Sequence, residues 1–190
     1  MPFTMLETER LRLRRFTESD LSLFMAYRND PEIARYQGWE GISEAEAWAF
    51  IIEQRVARSG TPGEGFQIAI ELKETETLIG DCFFKVNTHD KRQAEIGYTL
   101  ARAYHGKGYA TEAVTCWLNY AFQAFHLHRV IAIADCENHS SYALMDRLGM
   151  RREGHFIQNA WFKGHWCDEY LYAILRNEWL RAHPVEDASR

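Results

Sequence analysis

Two glycines precede a helix-like stretch in a pattern that suits anion binding. Gly106 and Gly108 flank Lys107 and are followed by Tyr109-Ala110-Thr111, the predicted first turn of a helix. Glycine lets backbone N–H groups approach a ligand closely, and a helix N-terminus carries roughly half a positive charge. The spacing therefore predicts a loop that binds a pyrophosphate through its amides. A glycine-rich turn without a ligand is the alternative, because Thr111 stands where dinucleotide-binding motifs have a third glycine.

A second polar segment follows a predicted buried strand, Arg129–Ala134. Asp135-Cys136-Glu137 leads into Asn138–Leu148, a predicted helix that Gly149 ends at its C′ position. Together with the predicted strand Ala94–Leu100 and the helix after the glycine loop, these elements form a β–α–β–α passage. The two polar segments therefore each follow a strand and open a helix.

Strands dominate the rest of the chain and must position these segments. A polar turn at Lys73–Glu76 separates two strand-like runs, which predicts an antiparallel hairpin. Capping boxes that begin at Thr17 and Ser43 predict two helices. The other predicted elements are strands around Leu11 and Leu13, at Phe66–Leu72 and at Leu78–Val86, a long hairpin over Glu153–Leu175 that turns at Lys163-Gly164, and a short helix at Arg176–Ala182. The expected class is α+β with mixed strand directions, in a single domain over residues 1–190 with a core at about 6–182 and a short C-terminal tail.

Composition excludes several classes of function. The chain has 190 residues, 22 Lys and Arg against 27 Asp and Glu, and a net charge of −5, without the basic face typical of nucleic-acid binding. The longest clean apolar run, Val130–Ala134, is far too short to span a bilayer, and no secretory segment is visible near Met1, so we expect a cytoplasmic protein. The cysteines, at 82, 116, 136 and 167, contain no C-x-x-C pair, which predicts free thiols and no metal site.

Taken together, the two polar segments resemble the GNAT superfamily of acyl-CoA-dependent N-acetyltransferases. They are most similar to its RimJ/RimL-type branch, the ribosomal-protein N-acetyltransferases. The opening Leu6–Arg14 and the later Trp166-Cys167-Asp168 fit the same branch, so the resemblance covers nearly the whole chain. It implies the GNAT fold, a twisted and mostly antiparallel sheet flanked by helices and splayed at a central β-bulge.

The resemblance also implies a site for acetyl-CoA. The loop amides would bind the pyrophosphate, the pantetheine arm would lie in the splay beside Leu100, and Asn138 would contact that arm. Ala103 departs from the glutamine or arginine that the family usually has three residues before the first glycine, which implies a small loss of affinity. The residues implied for acetyl-CoA binding are Leu100, His105, Gly106, Lys107, Gly108, Tyr109, Ala110, Thr111, Asn138 and Ser141.

The implied reaction is direct attack of a primary amine on the acetyl-CoA thioester. Glu95 matches a base used in some members of the family, with a solvated strand carboxylate as the equally weighted alternative. Met145 stands where many members have a proton-donating tyrosine, so Ser141 or Tyr142 would protonate the leaving thiolate, unless solvent does so. Ser141 could instead only contact pantetheine or cap its helix. A backbone amide near Leu100 would hold the oxyanion.

The acceptor is less well encoded. Tyr36, Trp39, Phe84, Trp161 and Trp166 fall where the family has its acceptor groove, although core packing explains most of these aromatic residues. The acceptor would be a protein N-terminal α-amine or a small amine of the aminoglycoside or polyamine type. A non-catalytic acyl-CoA sensor and a peptide-binding structural domain are the alternatives to an enzyme. A homodimer formed through the C-terminal strands is a further expectation.

Overall fold

One eight-stranded sheet, of order β1-β2-β3-β4-β5-β6-β8-β7, organises the chain. The structure is a computed structural model and describes residues 3–184. The strands are β1 (Met5–Glu7), β2 (Leu11–Arg14), β3 (Gly65–Leu72), β4 (Thr77–Val86), β5 (Gln93–Leu100), β6 (Arg129–Asp135), β7 (Arg151–Phe162) and β8 (His165–Leu175). The helices are α1 (Leu21–Arg28), α2 (Pro31–Ala34), α3 (Glu44–Val56), α4 (Tyr109–Ala124), α5 (His139–Arg147) and α6 (Arg176–Ala182), with 3₁₀ turns at Glu18–Asp20 and Arg102–Tyr104. The predicted C-terminal tail lies largely in residues 185–190, outside the described residues.

The centre of the sheet is splayed, as the sequence predicts. β5 and β6 are parallel and pair only from Gln93 to Glu95 and from Arg129 to Ile131. Beyond these residues β5 follows β4 as far as Leu100, while β6 follows β8 as far as Asp135. The carboxyl ends of the two strands therefore diverge and leave a V-shaped opening.

The bulge expected at this splay is not present in the pairing of β4 with β5. Their register is regular from Gly80 opposite Leu100 to Val86 opposite Ala94. Register shifts occur elsewhere, in β3–β4 at Ile70/Glu71 and in β7–β8. The opening therefore arises because, beyond their short parallel pairing, β5 stays paired with β4 and β6 stays paired with β8.

Local capping chemistry begins and ends the helices at the predicted places. The backbone N–H of Ser43 donates to Glu46 Oε2 at 2.8 Å, and the N–H of Glu46 donates back to Ser43 Oγ at 3.3 Å. The side chain of Asn138 likewise caps α5, because its Oδ1 accepts from the Ser141 N–H at 3.2 Å. Gly149 follows α5 with a φ of 74°, a left-handed conformation that favours glycine.

Side chains alternate between the two faces of the sheet, so one face packs against α4 and the other against α1 and α3. Phe84 lies on the α4 face, is fully buried, and has its ring centroid 5.2 Å from that of Trp117. Its prediction as an acceptor-groove residue is therefore wrong, because an aromatic two positions along a strand from Cys82 shares the core face. On the opposite face, Asp81 contacts α1 through Tyr27.

The cysteines and helices agree with the composition. Cys82, Cys116, Cys136 and Cys167 are free thiols, of which Cys82 and Cys167 are buried and the others half-buried. Within residues 3–184, no helix is both long enough and apolar enough to cross a membrane.

Candidate active site

A cleft of about 1200 Å³ occupies the V between β5 and β6. Its walls come from both diverging strands, the Gly106–Gly108 loop, the first turn of α4, α5, α2 with the loop that follows it, and the β7–β8 hairpin. Ligand sites usually measure about 300–1,000 Å³, so this cleft is large enough for an extended ligand together with a second, smaller one.

The glycine loop forms one end of the cleft. Gly106 and Gly108 have φ values of 72° and 82°, and Gly108 is the N-cap of α4. A Cβ added to Gly106 would meet no atom within 4 Å, so the space beside the loop is open. The first amides of α4 lack intrahelical acceptors, and Tyr109, Ala110 and Thr111 all line the cleft. This arrangement could hold a pyrophosphate, the ligand that the sequence predicts for the loop.

An arginine and a glutamate from distant parts of the chain support the loop. Arg10 Nη1 donates to the carbonyl oxygen of Lys107 at 3.0 Å, and its guanidinium pairs with Glu112 at 2.6 Å. Burial disfavours the charged form of Glu112, but hydrogen bonds from Thr8 and Arg10 outweigh it and lower its pKa. Arg10 thus neutralises a carboxylate that would otherwise repel an anion at the loop. Sequence reasoning missed this pair because its members are far apart in the chain.

Lys107 itself does not line the cleft. Its Nζ lies 5.6 Å from the ring centroid of Tyr104, so its predicted contact with the ligand is not supported by its position. The neighbouring His105 does line the cleft and hydrogen-bonds through Nε2 to the carbonyl oxygen of Leu100 at 2.8 Å. This bond ties the loop to the end of β5, where Leu100 also lines the cleft.

A pair of hydroxyl groups spans the V. The Tyr98 hydroxyl, on β5, donates to the Ser141 carbonyl oxygen at 2.7 Å and lies 3.0 Å from Ser141 Oγ, on α5. Burial raises the pKa of Tyr98 well above its ordinary value, so the phenol stays protonated. Met145 is buried at the cleft wall, and its thioether has no proton to donate to a leaving group.

Tyr142 occupies a different environment from Ser141. It does not line the cleft, and its ring packs against His139 and Tyr170 at centroid distances of 5.4 and 5.7 Å. Of the two predicted proton donors, only Ser141 therefore faces the cleft. Asn138 lines the cleft too, with Oδ1 engaged by Ser141 and Ser140.

Two carboxylates approach the acceptor side. Glu95 is half-buried on β5 and is not among the residues that line the cleft, to which β5 contributes Ile96 to Leu100, so its role as the base stays a prediction. Burial raises the pKa of Glu95, Lys85 opposes that rise, and the charge of Glu169 adds to it. Glu169, on β8, lines the cleft and accepts a hydrogen bond from Asn159 Nδ2 at 2.5 Å. Sequence reasoning missed Glu169 because only the β6–β8 register brings it to this face.

The predicted acceptor aromatics are divided by the structure. Tyr36 lines the cleft. Trp39 does not: it stacks on the Arg28 guanidinium at 3.8 Å and donates from Nε1 to the Arg28 carbonyl oxygen. Trp161 and Trp166 pair with each other on the outer face of the hairpin, 62% and 54% exposed, while the alternate residues Ala160 and Cys167 line the cleft. Trp39, Trp161 and Trp166 are therefore not groove walls in this structure, and Ile33, Gln37 and Phe162 take that place.

Among the described residues, no group of three or more His, Cys, Asp or Glu side chains is arranged to hold a metal ion.

Comparison with known proteins decides the family. Residues 10–151 match the family described as acetyltransferase (GNAT) domain. The chain belongs to the GNAT acetyltransferase family. It is 36% identical over 172 residues to a Bacillus subtilis (strain 168) protein named uncharacterized N-acetyltransferase YnaD, which covers 90% of this chain and 97% of that protein. A crystal structure of a GNAT-family acetyltransferase from Bacillus anthracis superposes with a TM-score of 0.81 at 32% identity, covering 92% of this chain and 100% of the other.

One sequence relative and one structural neighbour have names that state an acceptor. The [ribosomal protein uS5]-alanine N-acetyltransferase of Escherichia coli (strain K12) is 32% identical over 118 residues, which is 62% of this chain and 61% of that protein. The spermidine N-acetyltransferase of Vibrio cholerae, solved in complex with CoA and spermine, has a TM-score of 0.77 at 23% identity, with 91% and 99% coverage. The predicted family, fold class and enzyme class are thus confirmed.

Proposed function

We propose that this GNAT enzyme binds acetyl-CoA in the β5–β6 cleft and transfers the acetyl group to a primary amine. The observation that carries the proposal is the joining of the glycine loop, the splayed strands and the Ser141 hydroxyl in one continuous cleft. The acceptor is a small-molecule amine or a protein N-terminal α-amine. Relatives with acceptors of each kind, a ribosomal-protein alanine and spermidine, support keeping both.

The loop and the strand ends supply the binding groups for acetyl-CoA. The amides at Gly106, Gly108 and the first turn of α4 would hold the pyrophosphate, and the diverging backbone near Leu100 would hold the pantetheine arm. Acetyl-CoA supplies the activated acetyl thioester. Because backbone amides provide most of the contacts, Ala103 in place of a longer polar side chain costs little.

The acceptor must lose a proton before it reacts, and this requirement differs between amines. At pH 7 a lysine-like amine with a pKa of about 10.4 is neutral in roughly 1 of 2,500 molecules, whereas an α-amine with a pKa of about 7.8 is neutral in roughly 1 of 7. Glu169 at the cleft surface attracts the ammonium form, and Glu95, with its raised pKa, accepts a proton through water.

Ser141 and Tyr98 serve the opposite end of the reaction. Ser141 Oγ holds a proton close to the point where the strands diverge, and the Tyr98 hydroxyl, which donates to the Ser141 carbonyl oxygen, lies 3.0 Å from Oγ and positions it. Ser141 would thus give its proton to the leaving sulfur and regain one from solvent, while Tyr98 stays protonated. A CoA-type thiol has a pKa of about 8.5, so it can also leave as the thiolate. Protonation by Ser141 therefore raises the rate moderately and is not indispensable.

An acceptor panel tests the proposed function. Purified protein and acetyl-CoA are mixed with small primary amines, polyamines, aminoglycosides and N-terminal peptides, and release of free thiol is measured together with the mass of the acceptor. The proposal expects thiol release and an acetylated amine with at least one class. CoA binding without any acetylated product across the panel would favour a non-catalytic sensor.

A further inference from the structure

A short segment, Asp30–Trp39, crosses the open end of the V and is tied to both of its arms. We call this segment the bridge; it contains α2 and the loop that follows. Asp30 pairs with Arg102, which follows β5, at 2.8 Å. Arg35 pairs with Glu137, which follows β6, at 3.2 Å. The bridge therefore connects the two elements whose separation creates the cleft.

The β7–β8 hairpin holds the bridge at a third place. Lys163, at the hairpin turn, donates from Nζ to the carbonyl oxygens of Ala34 at 2.5 Å and Trp39 at 2.9 Å. Ala34 is the last residue of α2, and the terminal carbonyl oxygens of a helix lack intrahelical donors. The Ala34 carbonyl oxygen also accepts from the Gln37 N–H at 2.9 Å, so the Lys163 ammonium adds a second donor there and joins the bridge to the hairpin.

Residues on both sides of this junction line the acceptor side of the cleft. Tyr36 and Gln37 contribute from the bridge, and Ala160 and Phe162 contribute from the hairpin. Cys167 lies on the cleft wall below them and is only 7% exposed. The bridge and the hairpin turn therefore form a roof over the place where an acceptor would meet the acetyl group.

We propose that Lys163 is a specificity-determining residue that closes this roof and restricts the acceptor to a small primary amine. An amine carried on the surface of a folded protein would require the bridge and the hairpin to separate. Glu169, beneath the roof, suits the ammonium form of a small amine. This inference rests on the proposed acetyltransferase function and narrows its acceptor.

Thiol labelling at Cys167 tests the roof without an acceptor. Wild type, Lys163→Met and a matched control, Lys91→Met at an exposed lysine of the β4–β5 turn, are treated separately with iodoacetamide and a bulky polymer-linked maleimide. Mass spectrometry then gives the rate at Cys167, and the fully buried Cys82 reports any general unfolding.

We expect iodoacetamide to modify Cys167 in all three proteins and the polymer reagent to be excluded from wild type and Lys91→Met. Lys163→Met should raise the polymer rate at Cys167 by about tenfold or more, equivalent to about 1.4 kcal/mol, with Cys82 still protected. Equal polymer rates in Lys163→Met and Lys91→Met, or rapid polymer labelling of wild type, would overturn the proposal.

Acetyl transfer supplies the second arm. Glycinamide is compared with a folded carrier protein that begins with glycine, so the reacting amine is the same and only its attachment differs. Wild type should have a kcat/KM for glycinamide at least about tenfold above that for the carrier, and Lys163→Met should reduce this ratio. Equal values for the two acceptors in wild type would contradict the inference. Loss of all transfer with an intact labelling result would count against the proposed function and not against the roof.

Discussion

At the scale of single residues, the Tyr98–Ser141 contact gives the proton-donor role a definite geometry. Ser141→Ala should lower kcat by about 10²-fold, the lower end of general acid catalysis, with little change in KM for acetyl-CoA. Tyr98→Phe should lower kcat less, because Ser141 keeps its own hydroxyl. Tyr142→Phe should retain the wild-type kcat, since that ring packs outside the cleft. Steady-state kinetics of the three variants decide the assignment, and a fall in kcat only in Tyr142→Phe would transfer the role to Tyr142.

The raised pKa of Glu95 makes a separate prediction about stability. In the native state burial favours the protonated carboxyl, whereas in the unfolded chain the proton is lost near the ordinary value of 4.5. The native state therefore binds more protons in the window above that value, and stability falls as pH rises through it. Glu95→Gln removes this titration. At neutral pH the variant should therefore unfold at a higher urea concentration than wild type, and at about pH 4 the two proteins should have the same urea midpoint. A constant difference at both pH values would contradict the assignment.

Glu95→Gln also separates the acceptor classes by activity. Lysine-like amines are almost fully protonated at neutral pH and so need the base more. The variant's kcat should therefore fall further with lysine-like acceptors than with α-amine acceptors. Glu169→Gln should raise KM for the amine more than it lowers kcat, since Glu169 lies at the cleft surface. kcat and KM are measured separately for each amine. If Glu95→Gln and Glu169→Gln change both constants alike for every amine, the two carboxylates do not have different roles.

Residue identity predicts those parts of the site that depend on local chemistry. Gly106, Gly108, Asn138 and Ser141 all line the cleft. The turn and the helix start that carry them could be predicted because both depend on neighbouring residues in the sequence. Glu169 and Tyr98 are missed because their positions depend on which strands pair and on which face each side chain emerges. Trp161 shows the same limit, since an alternating strand places one aromatic in the groove wall and the next in solvent.

At the scale of elements, the glycine loop depends on the amino-terminal strand region as well as on α4. Arg10→Met should weaken CoA binding by about tenfold, because it frees the Lys107 carbonyl and leaves the Glu112 charge beside the anion site. Glu112→Gln in the same protein should recover part of that loss, since the repulsive carboxylate is gone. Titration calorimetry of the single and double variants gives the coupling. Simple addition of the two effects would show that Arg10 acts without Glu112.

The helices and hairpins themselves were predictable from their own residues. Capping at Ser43 and Asn138, the left-handed Gly149 and the Lys163-Gly164 turn each act over a few neighbouring residues. The parallel pairing of β5 with β6 and the bridge over the cleft could not be derived in this way. Both depend on contacts between elements that lie far apart in the chain, such as Lys163 with Ala34.

At the scale of the whole molecule, a buried ion pair fastens the α1 layer to the sheet. Tyr27 OH and Arg28 Nη2 both donate to Asp81 Oδ2, at 2.5 and 3.1 Å, and Arg28 and Asp81 are both buried. Asp81→Asn should lower the free energy of unfolding by about 3–5 kcal/mol, because it leaves the Arg28 charge buried without a partner. Asp90→Asn, at an exposed pair with Arg92, is the matched control and should change stability little. Equal urea midpoints for the two variants would contradict the importance of the buried pair.

Net charge says little about how the molecule handles its ligands. The chain carries a charge of −5, yet the groups that would face a pyrophosphate at the proposed loop site are neutral backbone amides, with Arg10 neutralising the nearby Glu112 carboxylate. An acidic side chain does line the other end of the cleft, where Glu169 lies on the proposed acceptor side. Local arrangement therefore matters more than overall composition for both ligands.

The most direct test of the central claim is calorimetric titration of the protein with CoA. Wild type should bind CoA, and Gly108→Val should weaken binding by about tenfold or more, equivalent to about 1.4 kcal/mol, because a β-branched residue resists the left-handed backbone that presents the loop amides. Gly164→Val is the control, since Gly164 has a similar φ of 85° in the β7–β8 turn, away from the loop, and it should bind CoA as wild type does. Absence of binding by wild type, or equal affinities for wild type and Gly108→Val, would contradict the assignment of this cleft to acetyl-CoA.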